Sequence, residues 1–128
     1  MDSRVKYWID LSDYDLETAE AMLHSKRYLY VGFMCHQTLE KVFKAYYTDL
    51  SNETAPFTHS LSHLAKKGQF YLMFSDKQKD FIDEIEPLNI ETRYPSDTAR
   101  LLRSLTHSKC TEIIQSTKEL QLWIKTKL

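Results

Sequence analysis

Two glycines and three prolines are the only strong backbone punctuation in 128 residues. Strand-rich folds need frequent tight turns, and those turns draw on Gly and Pro. The scarcity therefore predicts long helices with few connections. Hydrophobic content of 42% and charged content of 27% are ordinary for a globular protein. The length suits one domain over residues 1–128, with a core that needs neither disulfide nor metal.

The apolar spacing agrees. From about Ser3 to His24, Val5, Trp8, Ile9, Leu16, Ala19 and Leu23 fall on one helical stripe, with Lys6, Asp10, Asp13, Glu17 and Glu20 mostly opposite. A second helix is predicted from about Leu29 to Leu50. Tyr30, Phe33, Met34, Leu39, Val42, Phe43, Tyr46 and Tyr47 cover more than one stripe of it, which marks a central helix with neighbours on several faces. The polar stretch SNETAPFTHS reads as a loop. A short helix follows over about Ser60–Lys67, with Gly68 as its C-cap. Ser75 and Gln78 have the form of a capping box opening a helix through about Ile85. Pro87 and Pro95 then interrupt regular structure. Ser96 or Asp97 caps a last helix to about Lys125, striped by Leu102, Leu105, Ile113, Leu120, Trp123 and Ile124. The expected architecture is an all-α, up-and-down bundle of about five helices, three long and two short.

The formal net charge of −1 predicts no global attraction to nucleic acid or membrane. No segment approaches a membrane span, and the N-terminal MDSRVKYWIDLSDYD lacks the apolar core of a signal peptide. A cytoplasmic location is expected. Cys35 and Cys110 are then expected to be buried free thiols.

Four stretches carry a family resemblance. YWIDLSDYDLETAEAML holds Trp8, Asp15 and Ala19. YLYVGFMCHQTLEKVFKAYY holds Gln37, Glu40, Lys41, Lys44 and Ala45. THSLSHL holds His59, Leu61 and Leu64. TRYPSD holds Arg93, Tyr94, Pro95 and Asp97, with Ser96 between the last two. In this order, over nearly the whole chain, they resemble the HEPN domain, the higher eukaryote and prokaryote nucleotide-binding family, in its branch with an Arg-Tyr-Pro motif. The resemblance implies a homodimer whose second helices line a cleft. It also implies a nucleotide or RNA ligand, and a separately encoded minimal nucleotidyltransferase as partner in a toxin–antitoxin-like or substrate-binding role.

Gln37, Lys41 and Lys44 are spaced to share one helix face, with Glu40 beside it in register with Lys44. Lys41 and Lys44 are candidate phosphate-binding point charges, with Gln37 and Glu40 supporting the cleft. The competing reading is a solvated face carrying a Glu40–Lys44 pair worth about 0.3–0.5 kcal/mol. Arg93 is a candidate phosphate clamp at a helix start, and Tyr94 a stacking platform. The alternative has Arg93 bracing a carboxylate such as Glu40. His59 is placed near the cleft. Its spacing to His63 is too sparse a ligand set for a metal site, so no metal or cofactor is expected.

Arg100 and His107 have the Arg-then-His spacing of the metal-independent ribonucleases that the resemblance also implies. There, His assists proton transfer from a ribose 2′-hydroxyl and Arg stabilises phosphate charge. Seven residues is nearly two turns, which would put both side chains on one face of the last helix. Two features depart from that pattern. Leu101 follows the Arg where a polar residue is usual, and His107 is expected well inside the helix rather than at its start. The preferred reading is a non-catalytic nucleotide- or RNA-phosphate-binding module. The alternatives are a ribonuclease toxin using Arg100 and His107, and a purely structural dimerisation module with internal salt bridges.

Overall fold

The computed structural model describes residues 1–89 and 94–128. Its helices are α1 (Ser3–His24), α2 (Tyr28–Ser51), α3 (Leu61–Lys67), α4 (Asp76–Ile85), α5 (Pro95–Ser104) and α6 (His107–Lys125), with 3-10 turns at Tyr71–Met73 and Glu86–Leu88. Among the described residues none is in a strand, so the all-α expectation holds with six helices rather than five.

Capping explains most of the boundaries. Asp2 accepts from the Arg4 N–H at 2.8 Å to start α1. Ser60 accepts from the His63 N–H to start α3. At α4 the expected capping box is complete: Ser75 Oγ accepts from Gln78 N–H at 3.1 Å and Gln78 Oε1 accepts from Ser75 N–H at 2.8 Å. Asn52 ends α2 in the left-handed region, φ 57°, which Asn tolerates better than most residues.

The expected single last helix is two helices. Tyr94, not Ser96 or Asp97, caps α5, with Pro95 in its first turn. Leu105 leaves helical geometry at ψ 73°, and Thr106 accepts from the Lys109 N–H at 3.1 Å to start α6. Leu102 and Leu105 do not share the expected apolar stripe: Leu102 is half exposed and Leu105 is buried.

α2 is the central helix, and it packs against every other α-helix. Fourteen of its residues are buried, including Val31, Cys35, Leu39, Val42 and Phe43. Arg4, near the start of α1, donates to Asn52 at the end of α2, so these helices are antiparallel. α6 also runs antiparallel to α1: Lys118 pairs with Glu20, and further along Lys125 pairs with Asp13. α2 and α6 are therefore parallel, and α3 to α5 carry the chain back between them. Cys35 and Cys110 are buried free thiols, and burial pushes their pKa values up to about 12 and about 11. Neither is a ready nucleophile near neutral pH.

Gly68 caps α3 in a right-handed conformation, and the left-handed residue is the next one, Gln69, at φ 62°. Space rather than φ demands glycine at 68. A Cβ there would lie 2.6 and 2.8 Å from atoms of the Phe70 ring and 2.9 Å from Tyr47 Cδ2. Gly68→Ala is expected to lower unfolding stability by about 1–3 kcal/mol. Gln69→Gly should raise it by about 1 kcal/mol through relief of the left-handed strain. Urea unfolding of both variants checks the pair, and the opposite ordering would refute this account of the turn.

Candidate functional site

The candidates Glu40 and Lys44 end a row with a four-residue step along α2: Tyr28, Gly32, His36, Glu40 and Lys44. Each step turns about 40° past a full turn, so the row winds around the helix and meets a different element at each position. Tyr28 meets His107 of α6 ring edge to face at 6.0 Å. Gly32 lets Leu88 and Leu105 close on the helix, and a Cβ there would lie 3.1 Å from Leu88 Cδ1. His36 meets Glu86, Glu40 meets His59, and Lys44 meets Trp8 of α1.

The last two steps form a continuous polar chain. Lys44 Nζ lies 5.3 Å from the Trp8 ring centroid and 3.2 Å from Glu40 Oε2. Glu40 Oε1 lies 3.0 Å from His59 Nδ1. Glu40 and Lys44 are only 2% and 7% exposed, whereas the His59 side chain is 45% exposed. The expected Glu40–Lys44 pair thus exists, but it is buried between α1, α2 and the segment before α3. The value for a solvated helix pair does not apply to it.

Lys41 and Gln37 form a second polar group on the neighbouring row. Lys41 Nζ donates to Gln37 Oε1 at 2.8 Å and to Asp15 Oδ2 of α1 at 3.2 Å. Burial pushes the Asp15 carboxyl above its ordinary range, and the charge and hydrogen bond of Lys41 offset only part of that rise. Gln37 Nε2 is buried without a hydrogen-bond partner among the described residues. Both lysines expected to hold phosphate are thus committed to carboxylates of their own chain.

The remaining candidates lie elsewhere or are exposed. Arg93 falls outside the described residues. Tyr94 is 74% exposed at the α5 cap. Arg100 is exposed and donates to Asp97 at 2.7 Å. His107 is the first residue of α6, its Nδ1 3.5 Å from the Tyr28 hydroxyl, at the long limit for a hydrogen bond. The expectation that His107 lies deep in a helix, sharing a face with Arg100, is therefore corrected, because the break at Leu105 and Thr106 puts them on different helices. His107 borders a cleft of about 350 Å³ between α1 and α6, with His24 and Lys118. Tyr28 and Glu40 are twelve residues apart on α2, or about 18 Å at the helical rise. The His107 and His59 regions are separate places, too far apart for one mononucleotide to bridge.

Sequence reasoning missed Glu86 and His36. The fully buried His36 donates through Nε2–H to Glu86 Oε2 at 2.8 Å. Glu86 Oε1 accepts from the Leu61 N–H at 2.8 Å and the Ser60 hydroxyl at 3.1 Å. Burial pushes the Glu86 carboxyl up, but the His36, Ser60 and Leu61 hydrogen bonds outweigh it and hold the group below its ordinary range. A contact fifty residues away in the chain leaves no trace in local spacing. Among the described residues, no group of three His, Cys, Asp or Glu side chains is placed to hold a metal ion, and no helix is long and apolar enough to cross a membrane.

Comparison with known proteins accords with this architecture. The family model described as "HEPN domain" matches residues 5–127. The crystal structure of TT1696 from Thermus thermophilus superposes with a TM-score of 0.82 at 19% identity, covering 99% of this chain and 100% of that one. ST0689, described as an archaeal HEPN homologue, superposes with a TM-score of 0.66 at 20% identity, covering 98% of each chain. At these identities the likeness is one of fold. No curated protein matches the chain.

Proposed function

The chain belongs to the HEPN domain family, and on that premise we propose that it is a non-catalytic module binding a nucleotide or RNA phosphate at His59. The supporting observation is the arrangement around Glu40. A carboxylate that is 2% exposed takes Lys44 on one oxygen and the half-exposed His59 ring on the other. A histidine held through Nδ1 by a buried carboxylate is fixed in orientation, and its half-exposed ring can meet a phosphate oxygen alongside the contacts it already makes. Lys44 acts here as a fixed positive charge on the far oxygen of Glu40 rather than as a direct ligand, while Lys41 is held in the neighbouring group by Gln37 and Asp15. In this reading Tyr94 and Arg93 are further contacts for base and phosphate. A net charge of −1 suits one small contact better than a long polyphosphate track. The module works as a cytoplasmic homodimer with a separately encoded minimal nucleotidyltransferase.

Calorimetry with nucleoside monophosphates and diphosphates and a short single-stranded RNA tests this reading. His59→Ala is expected to weaken binding about tenfold or more, the loss of one charge-assisted hydrogen bond. His107→Ala, beside Tyr28 and so about 18 Å along α2 from Glu40, should bind as the wild type does. Equal binding by His59→Ala and wild type would remove the site. No binding by the wild type would leave the structural dimerisation reading.

One observation favours the ribonuclease alternative. Thr106 caps α6 so that His107 opens the last helix, which is where the resemblance would have the motif's His. Incubation of wild type and His107→Ala with mixed RNA in EDTA separates the two. The binding reading expects intact RNA in both, and His107-dependent cleavage would overturn it.

A further inference from the structure

We propose that Glu86 is a positioning residue for the His59 site, clamping the start of α3 so that the His59 ring stays on Glu40. The proposal rests on the reading of His59 as the contact group, but it is tested without a nucleotide.

His59, Ser60 and Leu61 are consecutive, and two anchors one turn apart on α2 hold them. Glu40 takes His59 directly at 3.0 Å. His36 takes Glu86, and Glu86 takes the Ser60 hydroxyl and the Leu61 N–H. Ser60 is at the same time the N-cap of α3. α3 has only seven residues, too few to hold a helix start by its own propensity. The position of its first turn, and of the residue before it, must come from contacts outside it. Glu86 supplies two acceptor oxygens to three donors from two elements. It belongs to neither of those elements, since it opens the 3-10 turn after α4.

The other end of the clamp points the same way. His36 is fully buried, and its Nδ1 has no partner among the described residues. An apolar side chain in its place would remove that unpartnered nitrogen, but it would also take the donor from Glu86 Oε2. What His36 does at that position is fix Glu86, and the lowered pKa of Glu86 keeps its carboxylate ionised to accept all three bonds.

Long-range proton–nitrogen spectra of the full chain, recorded on the histidine rings, give the test. The wild type should show His59 Nδ1 in a fixed hydrogen bond, and Glu40→Gln gives the reference change when that bond is altered. Glu86→Ala is expected to shift the His59 ring nitrogens by at least half of the reference change while the far-ultraviolet spectrum stays helical. Glu86→Gln should restore most of the wild-type signature, because its amide oxygen can still accept from Leu61 and Ser60, while its N–H can donate to His36 Nε2 once that ring carries its proton on Nδ1. Should Glu86→Ala fail to fold, His36→Leu removes only the outer anchor and should give a smaller shift in the same direction. A wild-type His59 signature in folded Glu86→Ala, or in His36→Leu, overturns the proposal. Absence of nucleotide binding in the wild type would overturn the function proposed for His59 and leave this result intact.

Discussion

Lys44→Met is expected to destabilise the protein by about 3–5 kcal/mol, the range for breaking a buried ion pair from one side. The asymmetry of the pair sets the size of the effect. Glu40 is 2% exposed and holds Lys44 at 3.2 Å. When the ammonium is removed, the carboxylate stays buried, still hydrogen-bonded to His59 but without its cation. Methionine keeps the apolar stem against Trp8 but loses the cation 5.3 Å from that ring. The double variant Glu40→Leu/Lys44→Met removes both charges and should recover most of the loss, since similar-sized apolar residues often replace buried pairs at little cost. His59 would then lose its bond to Glu40, but that side chain is 45% exposed and so only partly desolvated. Urea unfolding of the four proteins in the cycle gives the coupling directly. A single-variant loss below about 1 kcal/mol would mean that the pair behaves like an exposed one. The cleft would then be wetter than the structure has it.

The same residues show what the sequence disclosed and what it withheld. Helical spacing placed Gln37, Glu40, Lys41 and Lys44 near one another, because positions three and four apart on a helix are neighbours whatever surrounds it. It could not say what lies opposite. Asp15 and Trp8 complete the two lysine sites from α1, and His59 arrives from the segment before α3. These are tertiary contacts, and they bury the face that the competing reading left solvated. The bounds of α1 were legible from its apolar stripe, and the end of α3 at Gly68 and the start of α4 at Ser75 and Gln78 because cap chemistry is local within a few residues. Thr106 is an equally local cap, but the leucines before it continued the apolar pattern and concealed it. That one break moved His107 from the inside of a helix to its start, so the geometry of the Arg100–His107 motif changed while its spacing did not.

Phe43→Ala carries the other large expected effect, about 3–5 kcal/mol, and it tests the fold rather than the site. Phe43 is fully buried one turn from Leu39 on the central helix. Its ring stacks on Phe74 at 5.5 Å and meets Phe70 edge to face at 5.8 Å. Phe74 in turn packs at 5.7 Å from Trp123 of α6, and Phe70 at 5.0 Å from Tyr46 of α2. Truncation therefore opens a cavity where α2, the segment after α3 and α6 converge, and it removes two ring pairs that add to the buried area. Neither partner can close the gap alone. Phe70 is fixed by Tyr46 on its other side, and Phe74 both borders Trp123 and precedes the Ser75 cap of α4. Against a total of about 5–15 kcal/mol for a domain of this kind, the loss would take up much of the margin. Phe43→Leu keeps part of the volume and should lose less than half as much. Equilibrium unfolding of both variants checks the ordering. A loss below about 2 kcal/mol for Phe43→Ala would show that the cluster relaxes into the cavity.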